Sequence, residues 1–443
     1  MLNKDKCYQV IDKILEQARY FTLIKINVEE EGLTRFANSE IHQNVYSNNT
    51  TVNITVIDGK KICKVSTNLL EEDELINALK EAELNIEFLP EGEYEFSSPI
   101  EPLFLEDEGI DEGLKERFSI PNRAKLIGQC VENLEEGYKI AGSLSLNTGF
   151  VALGNSNGIK RYKDILTVNF NVVVIHEDGA SGYGEVTASK DEDMDVLAIF
   201  NRAYEKARMG RKPRSIEPGY YDVILEPLAV GDLIDFMNFT GFSAEDLREG
   251  FSFLSGKIGE KVFNDKITIK DDLNHNDTHR IPFDFEGFER LPVTIIEKGV
   301  FKGTVYDSKN SILCNEKNTG HSFGYGGGAF PINIIVGEGE ESIKEIIKKS
   351  KKALLITRFH YMNVVDSRQG LLTGLTRDGV FMVENGEIKY PVKNMRFTET
   401  LLNAFNNVEY VSKEREKVPS FFVSQLVPYM KINNFHITGK TEV

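Results

Sequence analysis

The chain has no tryptophan, few cysteines and too little positive charge to balance its acids. The missing tryptophan excludes nothing. The cysteines are more informative, because Cys7, Cys63, Cys130 and Cys314 stand far apart with no CxxC or CxxxC pair. That removes the spacing of a thiolate metal site or a disulfide framework and leaves free, partly buried thiols in a reducing compartment. Lys and Arg number 52 against 69 Asp and Glu, a formal net charge of −17. A nucleic-acid partner is therefore not expected, since such binding draws on clustered cations that displace counterions from phosphate. The one basic cluster, KEIIKKSKKALLITR at Lys344 to Arg358, reads as a helix with a solvated basic face leading into a strand. No apolar run approaches the roughly 18–20 residues of a membrane helix. The N-terminus runs into the charged NKDK instead of an apolar leader, so a cytoplasmic protein without membrane contact is expected.

What is present is the composition of a folded protein, 41% hydrophobic and 27% charged over 443 residues, long enough for two or three domains. Residues 4–19 place Cys7, Val10, Ile11, Ile14, Leu15 and Ala18 at helical spacing. Four strand-like runs follow, Leu23 to Glu30, Leu33 to Tyr46, Thr51 to Ile57 and Lys61 to Thr67, the last two joined at Asp58-Gly59. A helix over residues 72–88 closes an α-ββββ-α unit. Residues 119–209 repeat the order, and FANSEI at Phe36 to Ile41 is echoed by LGNSNGI at Leu153 to Ile159. The echo fits either a duplication or two units that merely share an order. Residues 91–118 form an acidic connector with three prolines in and beside it. From Tyr220 onward strands dominate, with a helix over 228–239, a capping box at Ser243-x-x-Asp246, and hairpins turning at Lys298-Gly299 and Asn385-Gly386. The fold class expected is α+β: an N-terminal α+β domain (residues 1–90), the connector, a central α+β domain (119–215), and a C-terminal antiparallel sheet or partial barrel with short helices (216–443).

Candidate chemistry is sparse. His275 and His279 stand four apart, but Asp271, Asp272, Asn274, Asn276 and Asp277 surround them, the composition of a solvated loop. GHSFGYGGGAFP at Gly320 to Pro331 invites comparison with a phosphate loop, yet it lacks the GK[ST] ending. A flexible loop or a close backbone approach to bound peptide fits better, with Gly320 and His321 as cleft candidates. Arg377 and Asp378, before the Gly379 turn, are expected either to pair with each other as scaffolding or to face the cleft. No GxSxG elbow occurs and Cys314 has no recognisable His partner in the sequence.

One block, TGLTRDGVFMVENGEIKYPVKNMRF from Thr373 to Phe397, resembles the C-terminal signature of the TldD/PmbA family. RFANSEIHQN, VIDGKKICKVSTN, NSNG at Asn155, PGYYDVILEP at Pro218, DFEG at Asp284, NTGH at Asn318 and TRDG at Thr376 extend the resemblance in order along the chain. The resemblance implies a zinc peptidase system acting on peptides or unfolded segments, in which a TldD-type subunit with an HExxxH helix and a late cysteine can pair with a PmbA-type subunit lacking the metal. Here the matching segment reads GDLIDFMNFTGF, placing Asp235 and Thr240 at the ligand positions and Phe236 at the base, and no cysteine follows Cys314. A catalytic zinc needs about three good ligands, an open position and a base. The chain is thus expected to hold no catalytic residue and no cofactor of its own, with zinc in a TldD-like partner subunit. A stand-alone peptide-binding or scaffold homodimer is the alternative. A third reading is an autonomous peptidase with a rearranged site drawn from Asp235, His275, His279 or His321.

Overall fold

The computed structural model describes residues 2–100, 109–275 and 280–441. His279 and part of the acidic connector lie outside the described residues. Asn3 opens the first helix by accepting the Lys6 N–H at 3.0 Å, and α1 (Lys4–Leu15) buries Cys7, Ile11 and Ile14, part of the stripe that the spacing predicts.

Three strands follow, not four: β1 (Phe21–Ala37), β2 (Glu40–Asp58) and β3 (Lys61–Thr67). The expected interruption after Glu30 lies inside a continuous β1. Gly32 sits there because a Cβ would stand 2.9 Å from the Arg123 guanidinium, which is buried against the strand and donates to Thr34 Oγ1 at 3.1 Å and Phe118 O at 2.8 Å. The chain reverses instead at Asn38-Ser39, where φ is 51° and 65°, a left-handed pair matching the twist of a tight hairpin.

Next come α2 (Glu72–Ile86), α3 (Glu112–Arg117), α4 (Ile120–Glu132), β4 (Tyr138–Asn155), β5 (Lys160–His176), β6 (Ser181–Ala188) and α5 (Val196–Met209). The β4–β5 turn uses Asn155 Oδ1 to accept the Asn157 and Ile159 N–H groups, so both echoed Asn-Ser strings form the first hairpin of their unit. β1 and β4 pair antiparallel from Leu23↔Asn155 to Phe36↔Gly142. The result is one six-stranded sheet, order β3-β2-β1-β4-β5-β6, a repeat of two α-βββ-α units sharing a sheet. Two cores result: α1 and α2 pack on β1–β3 together with Phe150 and Ala152 of β4, whereas α4 and α5 pack on β4–β6 together with Phe36 of β1.

The remainder comprises β7 (Gly219–Leu225), α6 (Pro227–Gly241), α7 (Ala244–Glu249), β8 (Ile269–Asp271), β9 (Val293–Glu297), β10 (Val300–Phe301), α8 (Ser308–Cys314), β11 (Asn333–Val336), α9 (Ile343–Lys349), β12 (Lys352–Asp366), β13 (Leu371–Glu384), β14 (Glu387–Pro391), β15 (Met395–Thr400), α10 (Leu401–Asn406), β16 (Val408–Pro419) and β17 (Ser424–Lys440). Pairing of β17 with β7 closes a ring, β7-β12-β13-β15-β17. The sheet is mixed, because β7 pairs parallel with β12 and β11 parallel with β17; parallel neighbours need long crossovers, here supplied by intervening helices and loops. Helix α6 is buried on nearly every side. No helix among the described residues is long and apolar enough to cross a membrane.

The two sheets meet through charge. Arg202 on α5 donates to both oxygens of Glu416 on β16 at 2.8 and 2.7 Å, and Lys206 pairs with Glu226 just before α6. Helix α5, which carries Arg202 and Lys206 to that contact, is itself seated tightly on its own sheet: a Cβ at Gly182 on β6 would stand 2.0 Å from Ala203 O of α5. Gly182→Val is expected to lower stability by roughly 1–3 kcal/mol, the usual cost of overpacking, read as a drop in the urea midpoint without change in slope.

Candidate functional site

Pro227 starts α6 directly after β7, at a position where its missing N–H costs nothing. The helix then carries two carboxylates inward. Asp235 is 5% exposed; its Oδ1 accepts the Ser420 hydroxyl at 2.5 Å and its Oδ2 the Phe421 N–H at 3.2 Å. Burial pushes its carboxyl up to about 7, and those two hydrogen bonds oppose the rise. Asp232, one turn earlier, accepts the Phe359 N–H at 2.9 Å. Burial raises it to about 8, against the pull of the Phe359 N–H and Arg358.

Around Asp235 the other two motif positions are occupied by packing. Phe236 meets the Phe421 ring edge-on at 5.6 Å. Thr240 donates its hydroxyl to Phe236 O at 2.6 Å, a bond back into its own helix. A zinc ion would find one carboxylate here, already committed to Ser420 and Phe421. Among the described residues no group of three or more His, Cys, Asp or Glu is placed to hold a metal. The donor set does not fit a catalytic zinc.

The remaining candidates are scattered. Asp378 does not pair with Arg377: it sits in a bulge of β13, with φ at 54°, that turns its carboxylate toward Arg358. It is 3% exposed and takes Arg358 Nε and Nη2 at 2.8 and 2.5 Å on one oxygen and Ser181 Oγ at 2.6 Å on the other. The Arg358 guanidinium lies 3.7 Å over the Tyr183 ring, and Tyr183 donates to Glu185 at 2.9 Å. Gly320 does make a close backbone approach, with φ at 71° and a Cβ position 2.0 Å from Glu289 O, but the neighbour is the chain itself. His321 is fully buried, its Nδ1 2.9 Å from Thr319 O and its Nε2 3.3 Å from Asp271 Oδ1. Burial holds its imidazole below the usual range, against Asp271. His275 lies in the loop after β8, four residues beyond Asp271.

The DFEG, NTGH and TRDG strings are likewise structural. Asp284 accepts the N–H groups of Glu286, Phe288 and Ser322, Glu286 accepts the Ser322 hydroxyl at 2.8 Å, and Asn318 accepts the Gly320 N–H at 2.8 Å. The glycine-rich run folds into a tight loop in which Phe323 N–H reaches Gly328 O at 3.0 Å. Its aromatics join a cluster that single-residue reasoning missed. Phe422 stacks on Phe330 at 4.8 Å and tilts against Phe323 at 5.6 Å, and Phe323 meets Phe285 at 6.2 Å. The signal was there as FGYGGGAFP and PSFF, aromatic residues set among glycine, serine and proline. Asp232 was missed too, since a lone acid in an apolar helix carries no motif.

Comparison with known proteins agrees with this architecture. Residues 218–439 match the PmbA/TldA metallopeptidase C-terminal domain and residues 119–211 the PmbA/TldA metallopeptidase central domain. A Metalloprotease TldD homolog of Buchnera aphidicola is 23% identical over 91% of this chain and 89% of its own length. An uncharacterized protein of Methanocaldococcus jannaschii is 29% identical over 46% of this chain, a match spanning 50% of that relative. The crystal structure of TldE from Thermococcus kodakarensis, 20% identical, superposes with a TM-score of 0.87 over 98% of this chain and all of that one, a likeness of fold. With both domain models matched in order over most of its length, the chain belongs to the PmbA/TldD metallopeptidase family.

Proposed function

We propose that this chain is the metal-free, PmbA-like member of a peptidase assembly, binding extended peptide or unfolded segments while a TldD-like subunit supplies the zinc. One observation carries the reading: the only carboxylate at the family's metal positions, Asp235, is spent on holding the Ser420–Phe421 strap, with Phe236 and Thr240 beside it offering no base and no strong ligand. No hydrolytic step is assigned to this chain. Gly320, His321 and Asp378 are buried within the fold, so they support the walls of a cleft instead of touching its contents. The aromatic cluster of Phe236, Phe421, Phe422, Phe330 and Phe323, with Phe421 65% exposed, supplies apolar surface for side chains of a bound peptide. Extended peptide recognition by main-chain pairing needs little sequence specificity.

Purified full-length chain is expected to contain less than about 0.1 zinc per molecule by elemental analysis, in keeping with a donor set short of the roughly three ligands required. It should also cleave no unstructured peptide alone. One tightly held zinc per chain, or cleavage that a chelator abolishes, contradicts the proposal.

The carboxylates of α6 make a second prediction. Their folded-state values, about 8 for Asp232 and about 7 for Asp235, lie above the ordinary carboxylate range, so the folded state holds protons that the unfolded chain has already released. Stability therefore falls as pH rises from about 4 through these values and levels off above them. Asp232→Asn keeps an acceptor for the Phe359 N–H without the charge. It is expected to stabilise the chain at pH 8.5 by roughly 1–3 kcal/mol, the scale of an undercompensated buried polar group, and by much less at pH 5, measured by urea denaturation at both. An equal effect at the two pH values refutes the assignment.

A further inference from the structure

The face of the six-stranded sheet turned away from α1 and α2 receives the glycine-rich loop, whose Tyr325 is buried against Leu23 of β1, Ile57 of β2 and Leu153 of β4. Strand alternation puts Lys25 on that same face, two residues beyond Leu23. Lys64 of β3 joins it, since Lys64 stands opposite Thr55 and Thr55 opposite Leu23. The Lys25 ammonium lies 4.2 Å over the Phe285 ring, and Lys64 Nζ reaches the loop itself, 4.0 Å from where a Cβ would stand on Gly326. Phe285 in turn meets Phe323, which touches Phe330 and Phe422. Two cations therefore stand at the edge of the aromatic cluster. Neither ammonium makes an ion pair or a hydrogen bond among the described residues. The carboxylates they feel are engaged elsewhere: Glu29 accepts Asn27 Nδ2 at 2.6 Å, and Glu286 is fully buried, with its oxygens on Ser322 Oγ and the Ser308 N–H. Burial holds Lys25 below the usual lysine range, Lys64 adds to the fall and Glu29 opposes it. Burial lowers Lys64 too, against Glu286. A desolvated ammonium without a counter-charge is under-compensated.

We propose that Lys25 and Lys64 hold a carboxylate of the bound peptide, so that the cleft selects acidic peptides whose apolar side chains lie on Phe323 and Phe422. The inference rests on the peptide-binding reading above and gives it a substrate class. Charge complementarity favours this occupant over a neutral or basic one. Over most of its surface a chain of net charge −17 repels an anion, so an acidic segment gains only where cations face it, and that place sets its register. The aromatic rings beside the two lysines exclude water, which strengthens the attraction to a carboxylate relative to an ion pair in bulk solvent. A Glu or Asp side chain and the peptide's own C-terminus offer the same chemistry to the pair.

Fluorescence anisotropy of the full chain with labelled, unstructured peptides of about ten residues tests this. Three peptides share one phenylalanine-containing sequence: the first carries glutamates and an amidated end, the second glutamines and an amidated end, the third glutamines and a free C-terminal carboxylate. A carboxylate-bearing peptide is expected to bind wild type about fivefold more tightly than the uncharged one, the scale of two partly exposed ion pairs. Whether the first or the third does so identifies the source of the carboxylate. Lys25→Gln with Lys64→Gln is expected to abolish the difference and leave the affinity for the uncharged peptide as it was. Lys25→Arg with Lys64→Arg keeps both the charge and the cation over Phe285, and is expected to retain the difference. Equal binding of all three peptides to wild type, a difference that persists in a folded glutamine variant, or its loss in the arginine variant overturns the proposal and leaves the peptide-binding reading standing. Failure of all three peptides to bind overturns both.

Discussion

Helix α6 governs the second half of the molecule, because it is buried almost all round and yet carries two carboxylates. A helix in that position must be apolar or must bring partners for every charge. Here the partners come from outside the helix: the Phe359 N–H on β12 for Asp232, and Ser420 with the Phe421 N–H for Asp235. Three segments far apart in sequence are thereby placed relative to one another. The β16–β17 connection, which would otherwise hang over α6, is tied down at Ser420, and the aromatic cluster assembles around it.

The contact between the two sheets follows the same logic one layer out. Arg358 stands beside Asp232 electrostatically, yet spends its hydrogen bonds on Asp378 and its face on Tyr183. Ser181 of β6 takes the other oxygen of Asp378. Arg202 and Glu416, and Lys206 and Glu226, continue the seam. Half-buried ion pairs of this kind add little net stability, since desolvation consumes much of the attraction. They do set register: a displacement of one residue would turn the strand groups among them, Ser181, Arg358 and Glu416, to the wrong face. The seam thus orients the six-stranded sheet on the ring, while apolar packing within each core supplies cohesion.

The short strings that tie this chain to its family are mostly such fixed points. DFEG, NTGH and TRDG place a carboxylate or amide where it satisfies buried N–H groups or an arginine. They mark fixed points of the scaffold, each spent on hydrogen bonds within the fold. Membership of the family and possession of its metal chemistry are therefore separable properties of a sequence.

The amino-acid order by itself determined much of the local structure. The α1 stripe, the turns at Lys298-Gly299 and Asn385-Gly386 with their positive φ, the capped helix at Ser243, and the α+β order of both units are all readable because propensity and period act over a few residues. That Asp235, Phe236 and Thr240 offer few metal donors is legible for the same reason, from the residue types at neighbouring positions. What only the tertiary structure decided is who meets whom. Gly32 reads as a strand break until Arg123 is found against it. Arg377 and Asp378 read as a pair until a bulge in β13 turns Asp378 toward Arg358. His321 and Gly320 read as cleft residues until Asp271 and Glu289 occupy the space beside them. In each case the deciding neighbour lies tens of residues away, and burial, which makes such a contact compulsory, is a property of the packed chain and not of any segment of it.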